Sequence, residues 1–385
     1  MTQIDGEVAW RNLLASKASR WIAAATDPAY GESAHGRLAA GIALPRVTPK
    51  FTLNQDDVFF CIGSCFARNI EEHLIYRGIA VESKSIAFEK RTGRPNAYVN
   101  KFTTGSILNE LRWSLAGEPF PASSLVETDE GWRDLQLAPS AVPLPLDDAR
   151  ARRVMVTEYF RRIRSATVVV ITLGLIEAWY DAQARVMLNA APSLAQTRRS
   201  PGRFRLHVTD YAENLAALRA VYDLLGAHAA PGVRIVVTVS PVPMRESFTG
   251  QDVLVANTYS KSVLRVAADD SARDRANVQY YPSYEAVTVS NRALTYSGAD
   301  DLHVLDAAVD TITGDFLRTY GVTRERPHPE FVELHYLFAN PDVHDAVLAC
   351  RFASGYEHWL AYGRAEGRPL RAVDSPGNLD DLLGP

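Results

Sequence analysis

Residues 58–67 read Val-Phe-Phe-Cys-Ile-Gly-Ser-Cys-Phe-Ala, and this stretch decides the fold class. The unbroken apolar run at residues 58–62 predicts a strand that is buried on both faces, as in parallel sheets. Gly63 ends that run, and apolar residues then recur at the four-residue spacing of one helix face, at Phe66, Ile70 and Leu74. The stretch therefore predicts a buried strand that turns directly into a helix, with Ser64 at the turn.

Strands and helices continue to alternate along the chain. Further strands are predicted at residues 79–81, 167–173, 233–239 and 278–281, and further helices at residues 210–225, 256–268 and 304–316. This order predicts a flavodoxin-like α/β fold, in which helices cover both faces of a parallel sheet and make three α/β/α layers. Two stretches do not fit: we predict an inserted loop with a hairpin at residues 114–150 and irregular structure at residues 181–206.

The regions outside this alternation divide the chain into four parts. Residues 1–50 are predicted as an N-terminal helical extension with one amphipathic helix at residues 8–25, and residues 51–325 as the α/β domain. The sequence pattern changes after Arg326-Pro327-His328-Pro329 to that of a short helical segment with aromatic residues. We expect a small C-terminal helical module at residues 326–372, with Tyr356, Trp359 and Tyr362 in its core, and a tail at residues 373–385.

The composition excludes several classes of protein. The 45 acidic and 41 basic residues leave a net charge of −4, without the basic surplus of a general nucleic-acid-binding protein. No stretch approaches the roughly 18 consecutive apolar residues of a membrane span. Neither a His/Asp/Glu cluster at metal-ligand spacing nor a phosphate-binding glycine loop is evident. With only three cysteines and a polar N-terminus, the sequence predicts a cytoplasmic protein that uses no metal and no cofactor.

Ser64 is the first candidate for chemistry. Parallel α/β sheets bind ligands at the carboxyl ends of their strands, and the N–H groups at a helix N-terminus favour developing negative charge. A serine at this turn therefore meets the requirements of a nucleophile with a built-in oxyanion donor. The same position also suits an ordinary helix N-cap, and the residues alone leave both interpretations open.

Asp300 and His303 form the second candidate, just before the last predicted helix. An aspartate three residues ahead of a histidine can reach the imidazole Nδ1 across one turn, where it fixes the tautomer and stabilises the imidazolium. An exposed helix cap is the alternative interpretation of the same spacing.

Taken together, these residues resemble a known family. Residues 63–67, Gly-Ser-Cys-Phe-Ala, are similar to the signature of the GSCFA family, a branch of the SGNH (GDSL-like) hydrolases. The resemblance spans roughly residues 50–320 and implies an SGNH-type fold in which Ser64 is the nucleophile, His303 the base and Asp300 the residue that orients His303. It implies a serine esterase or O-acyltransferase that forms an acyl-enzyme on an acyl ester, such as an acetyl ester, of a small molecule or a carbohydrate. Residues 336–343 and 354–368 resemble a helical element of bacterial proteins associated with polysaccharides, which favours a carbohydrate.

The sequence departs from the SGNH pattern at Gly174, because the usual G-x-N-D is absent there. The asparagine that normally completes the oxyanion hole must then come from elsewhere or be missing. Asn100 is our candidate, although it can also be a turn residue. The backbone N–H groups of Ser64 and of Gly105 or Gly174 are further candidate donors. Glu177 completes the predicted substrate-binding set.

The sequence also predicts the positions of three other side chains. Cys65 is expected to face the sheet as a small core residue, because one helical step turns a side chain by about 100° from its neighbour. His73 is expected on the surface of the first helix. Lys261 lies near the start of the helix after the fourth strand, where it can contact substrate or cap the helix.

A second class of function stays open. A chain that keeps this fold without activity would be a non-catalytic binding or assembly protein in polysaccharide biosynthesis, and the missing asparagine supports that interpretation. Covalent labelling of Ser64 distinguishes the two. The sequence leaves the acyl group, its acceptor and the oligomeric state open.

Overall fold

The computed structural model describes residues 3–84 and 96–372; the predicted tail at residues 373–385 lies outside them. The strands are β1 (Val58–Gly63), β2 (Ala80–Val81), β3 (Leu125–Thr128), β4 (Gly131–Asp134), β5 (Val168–Leu173), β6 (Glu177–Asp181), β7 (Val186–Leu188), β8 (Phe204–Val208), β9 (Arg234–Val239) and β10 (Val278–Tyr280). The α-helices are α1 (Gly6–Ala15), α2 (Ala34–Ala39), α3 (Cys65–Ile75), α4 (Thr104–Leu111), α5 (Leu146–Arg161), α6 (Leu194–Arg199), α7 (Tyr211–His228), α8 (Val253–Arg273), α9 (Ser283–Thr288), α10 (Arg292–Thr295), α11 (Asp306–Thr319), α12 (Glu333–Ala339), α13 (Pro341–Leu348) and α14 (Gly355–His358).

A five-stranded parallel sheet forms the centre of the molecule, in the order β10-β9-β5-β1-β2. Counted along the chain, these strands have the order 2-1-3-4-5, which is the flavodoxin-like order, so the predicted fold class is confirmed. The chain leaves β1 toward one edge of the sheet and later returns beside it as β5, with Gly63 opposite Thr172. Doubly wound sheets bind ligands at such a switch point, beyond the carboxyl ends of the two strands.

Alternate residues of β1 enter the two cores on either side of the sheet. Phe60 and Ile62 belong to a buried cluster with residues of α5, α7 and α8. Phe59 and Cys61 belong to a second cluster with residues of α3 and α11. Because both faces of the strand are covered, an unbroken apolar run is favourable at β1, and the sheet becomes the middle of three layers.

The insertion after β5 is more ordered than the sequence predicts. It forms a three-stranded antiparallel sheet in the order β7-β6-β8, so the prediction of irregular structure at residues 181–206 is wrong. Arg185, in the turn between β6 and β7, has a φ of 59°, a conformation that sequences usually mark with glycine or asparagine. The usual hairpin signal is therefore missing. The predicted hairpin at residues 114–150 is confirmed as β3 and β4.

The N-terminal helix is shorter than predicted. It ends at Ala15 instead of residue 25, and none of its residues is buried. Asp5 caps it by accepting a hydrogen bond from the Glu7 N–H at 2.9 Å. Among the described helices, none combines the length and the apolar character that crossing a membrane requires.

The C-terminal helices α12, α13 and α14 surround an aromatic cluster of their own. Tyr76, the residue after α3, inserts into this cluster and joins it to the α/β domain. Tyr356 and Trp359 are buried in it as predicted, whereas Tyr362 is 53% exposed, so the prediction that it is a core residue is wrong. This module contacts α3 at the end opposite Ser64.

Candidate active site

A cavity of about 340 Å³ opens at the carboxyl ends of the central strands. Three of its lining residues follow directly after strands: Ser64 after β1, Gly174 after β5 and Ser240 after β9. His303 closes it from the loop before α11. The volume lies within the usual range of small-molecule sites, and the position is the switch point of the sheet.

Ser64 is both an N-cap and a residue of the cavity wall. Its backbone is extended, and its Oγ accepts a hydrogen bond from the Phe66 N–H at 3.4 Å. The Oγ also lies 3.2 Å from Thr172 Oγ1. The Ser64 N–H donates to Thr172, at 3.1 Å from its carbonyl oxygen and 3.0 Å from Oγ1. That N–H is therefore already bonded, contrary to the expectation that it supplies an oxyanion donor.

Gly63 permits this close approach of β1 to β5. Its φ is 136°, and a Cβ at this position would lie 2.1 Å from the Thr172 carbonyl oxygen. Only glycine fits both the conformation and the space. The turn that presents Ser64 thus depends on the residue that precedes it.

Asp300 holds His303 through several hydrogen bonds. Its Oδ2 bonds His303 Nδ1, and its Oδ1 accepts from the N–H groups of Leu302 at 3.0 Å and His303 at 3.2 Å. Partial burial opposes ionisation of this carboxyl, but the bonds from Leu302 and His303 outweigh it and hold the pKa of Asp300 below its ordinary value. With Nδ1 as the donor to Asp300, Nε2 is the nitrogen that can accept a proton.

Asn100 lies in the same cavity wall. It follows a short 3-10 turn at Ala97–Val99, is 5% exposed and lines the cavity. Its Oδ1 is buried without a hydrogen-bond partner among the described residues. A buried amide that the protein does not satisfy is suited to bind a ligand.

About two thirds of the chain matches the model of one protein family. The model of the GSCFA family matches residues 58–316. The chain belongs to the GSCFA family. No curated protein and no solved structure matches it. The matched segment contains Ser64, Asn100, Gly174, Asp300 and His303, and it ends before the C-terminal module.

The remaining predicted site residues of this GSCFA protein divide between the cavity and its surroundings. Gly174 lines the cavity, whereas Gly105 lies in α4 against the Met187 side chain and is not part of the lining. Its position thus gives no support to a role as donor. Glu177 lines the cavity, but its carboxylate accepts from Ser247 Oγ at 2.6 Å and from the Phe248 N–H at 2.9 Å. Glu177 therefore anchors the loop after β9.

Cys65, the residue after the serine of the GSCFA motif, differs from its prediction. It is partly exposed and lines the cavity, while Cys61 is the core cysteine. The predicted 100° turn assumes that both residues are helical, but Ser64 has extended backbone and Cys65 is the first residue of α3. The expectation that Cys65 faces the sheet core is therefore wrong.

His73 also differs from its prediction, because it is 2% exposed and not on the surface. Its Nδ1 lies 3.0 Å from Asp310 Oδ1 and its Nε2 lies 3.0 Å from Asp306 Oδ1. The two aspartates stand four residues apart on one face of α11. That spacing is visible in the sequence and could have indicated a buried partner.

Two residues of the cavity wall make contacts that the sequence does not indicate. Asn189 lines the cavity and makes three hydrogen bonds. Its Nδ2 donates to the Asn100 carbonyl at 2.8 Å, and its Oδ1 accepts from the Phe102 N–H at 2.8 Å and from Ser106 Oγ at 2.9 Å. Lys261 lines the cavity with a 1% exposed side chain. It lies well inside α8, which begins at Val253 with Asp252 as its N-cap, so of its two predicted roles the structure excludes helix capping. Among the described residues, no cluster of three or more His, Cys, Asp or Glu side chains could hold a metal ion.

Proposed function

We propose that this GSCFA protein is a serine esterase or O-acyltransferase of the SGNH type, with Ser64, His303 and Asp300 as its triad. One observation carries the proposal: Ser64 and the Asp300-bound His303 line one cavity at the switch point of the sheet. A serine at a helix N-terminus, an imidazole and an orienting carboxylate are the parts that acyl transfer needs.

In the proposed reaction, Ser64 Oγ forms a bond to the acyl carbon while His303 Nε2 takes the hydroxyl proton. Collapse of the tetrahedral intermediate breaks the ester C–O bond, and the alcohol leaves with the proton from His303. Water or an acceptor hydroxyl then gives its proton to His303 and attacks the acyl carbon, and His303 passes that proton to Ser64 Oγ as the bond between Oγ and the acyl carbon breaks. Asp300 stabilises the imidazolium in both half-reactions.

The developing oxyanion requires donors that are in place before the reaction. The Asn100 amide is one candidate, because Asn100 lines the cavity and its Nδ2 is a hydrogen-bond donor. The Gly174 N–H is another, because it has no acceptor in the part of the chain that the structure describes. Asn100 and Gly174 both lie in segments that line the cavity.

The substrate is proposed to be an acyl ester, such as an acetyl ester, of a carbohydrate or small molecule, and the protein to be cytoplasmic. None of the described residues that line the cavity comes from residues 326–372. The C-terminal module therefore supports a carbohydrate only through its resemblance to polysaccharide-associated proteins.

Labelling with a fluorophosphonate tests the proposal. We expect a covalent adduct on Ser64 in the wild-type protein, detected by peptide mass spectrometry, and none in Ser64→Ala. Cys65→Ala is the matched control, since it changes the adjacent residue of the same cavity and should retain the label. A folded wild-type protein that takes no label, and that hydrolyses neither 4-nitrophenyl acetate nor acetylated oligosaccharides, would instead be a non-catalytic binding protein.

A further inference from the structure

Lys261 is a buried basic residue in the wall of the cavity. It lies in α8, and its Nζ donates a hydrogen bond to the Gly174 carbonyl at 2.8 Å. An ammonium has three N–H donors, and this bond uses one of them. Among the described residues, no carboxylate lies within 4 Å of Nζ, although Lys101, the other lysine buried to the same degree, pairs with Glu110 at 2.6 Å.

The other charged residues of the cavity are already paired or lie at its rim. Arg68 pairs with Glu71 at 2.7 Å and donates to the Cys61 carbonyl at 2.7 Å. Glu177 is bound to the loop after β9, and Arg245 and Glu246 are exposed. A buried charge without a partner is costly. Burial accordingly lowers the pKa of Lys261 to about 7, with an opposing effect of Cys65.

Besides Asn100 Oδ1, three buried polar atoms of the cavity wall have no hydrogen-bond partner among the described residues: Arg68 Nε, Trp179 Nε1 and Ser240 Oγ. Ser240 is 1% exposed, and its Oγ has no hydrogen-bond partner among the described residues. Trp179 Nε1 is buried and likewise without an acceptor there. Ser240 and Lys261 line the same cavity; the Ser240 N–H donates to the Leu173 carbonyl at 2.8 Å and Lys261 Nζ donates to the Gly174 carbonyl. The unsatisfied groups include several donors, which a ligand with acceptor oxygens would match.

We infer that Lys261 binds a carboxylate of the substrate, and that this substrate is a half-ester of a dicarboxylic acid whose carboxylate-bearing acyl group is transferred to Ser64. This inference rests on the proposed function for its acyl-transfer step. A single ammonium matches a monoanion, and the charge of Arg68 is already paired with that of Glu71. A carboxylate could accept from Lys261 Nζ, and the Ser240 hydroxyl is a further donor in the wall of the same cavity.

The position of Lys261 favours the acyl group over the alcohol. His303 must protonate the leaving alcohol, so the alcohol lies on the His303 side of Ser64. The His303 side chain is 19% exposed, whereas Lys261 is buried beneath the strand ends. Lys261 also acts electrostatically on Cys65, the residue next to Ser64. We therefore place the acyl chain on the buried side of Ser64.

The test compares two esters that share one leaving group, 4-nitrophenyl hemisuccinate and 4-nitrophenyl acetate. We expect Lys261→Met to lower the ratio of their kcat/KM values by about 10–100-fold, the worth of a hydrogen bond to a charged group. Ser240→Ala, which removes only a hydroxyl, should lower the same ratio by a few fold. Ser262→Ala is the matched control, because Ser262 lies on the exposed side of α8. A ratio that does not change in folded Lys261→Met would overturn the inference.

A binding measurement separates this inference from the proposed function. Calorimetry should detect binding of succinamate, which carries one carboxylate, to the wild-type protein, and no binding of its neutral counterpart succinamide. Succinamate binding should be lost in Lys261→Met, whose fold is checked by its melting temperature. Such a result supports the anion site even if Ser64 takes no fluorophosphonate and neither ester is cleaved. Equal binding of succinamate to the wild type and Lys261→Met, or none to either, would contradict it.

Discussion

His73 Nε2 lies 3.0 Å from Asp306 Oδ1, and this contact joins the helix that begins after Ser64 to the helix that begins after His303. The second ring nitrogen lies 3.0 Å from Asp310 on the same helix. Only the imidazolium can donate from both nitrogens, so the arrangement selects the protonated form. Burial opposes that charge, but the bonds to the two aspartates outweigh it and raise the pKa of His73 above its ordinary value. Arg77 and Arg326 complete the network around Asp310.

The stability that His73 contributes should depend on pH. Because its pKa is raised in the folded state, the contribution is complete below the unfolded pKa of about 6.5 and is lost as the pH rises through the folded value. The pKa values of Asp306 and Asp310 are lowered, so both aspartates stay ionised above pH 6. We expect His73→Gln to reduce the free energy of unfolding by about 1–3 kcal/mol at pH 6, and by less at pH 9. Urea unfolding measures both values.

His207→Gln is the control for that experiment, since His207 pairs with Glu213 on the surface. It should cost less than about 1 kcal/mol. A loss in His73→Gln that is the same at pH 6 and pH 9 would contradict the protonated state of His73.

Asp300 and Asp301 provide a matched pair for the triad. Asp300→Asn should lower kcat by about 10²–10⁴-fold, because the imidazolium loses its carboxylate partner. Asp301 bonds Arg292 and has a φ of 56°, a conformation that asparagine tolerates. Asp301→Asn should therefore leave kcat within a few fold of wild type. Equal losses of kcat with 4-nitrophenyl acetate at both positions would refute the assignment of Asp300.

Gly63→Ala should disrupt the turn that presents Ser64. The new Cβ would lie 2.1 Å from the Thr172 carbonyl oxygen, in a backbone with a φ of 136°. We expect a loss of about 3 kcal/mol or more in the free energy of unfolding. Gly226 lies in α7, where an added Cβ would meet no atom within 4 Å, so Gly226→Ala should be neutral or stabilise by about 0.5–1 kcal/mol. Thermal melting compares the two; a wild-type melting temperature in Gly63→Ala would contradict the close approach.

The parts of the site that the sequence predicts are those encoded locally. The strand-to-helix turn at Ser64 and the three-residue spacing of Asp300 and His303 each lie within one short segment. Lys261 and Asn189 are different, because their roles depend on contacts with Gly174 and Asn100, 87 and 89 residues away. The periodic pattern of apolar residues does not indicate contacts between positions so far apart in the sequence.

The fold shows the same division. The parallel strands are predictable because burial on both faces requires unbroken apolar runs. The sheet of β6, β7 and β8 is not, because its strands are short and Arg185 occupies the turn position that glycine usually marks. The expectation for Cys65 fails for a related reason, since the extended backbone of Ser64 breaks the helical step on which that expectation depends.

The variants Asn100→Ala and Asn189→Ala compare an amide with a proposed catalytic role with an amide that has a structural role. Asn100 Oδ1 has no partner among the described residues, so Asn100→Ala should change the melting temperature little. If its amide binds the oxyanion, the variant should lower kcat by about 10²–10³-fold with little change in KM. Asn189 makes three hydrogen bonds, and Asn189→Ala should cost about 2–4 kcal/mol of stability. Kinetics with 4-nitrophenyl acetate and thermal melting of both variants give the comparison. If Asn100→Ala melts early and keeps its kcat, Asn100 is a turn residue, and the oxyanion must rely on the Gly174 N–H instead.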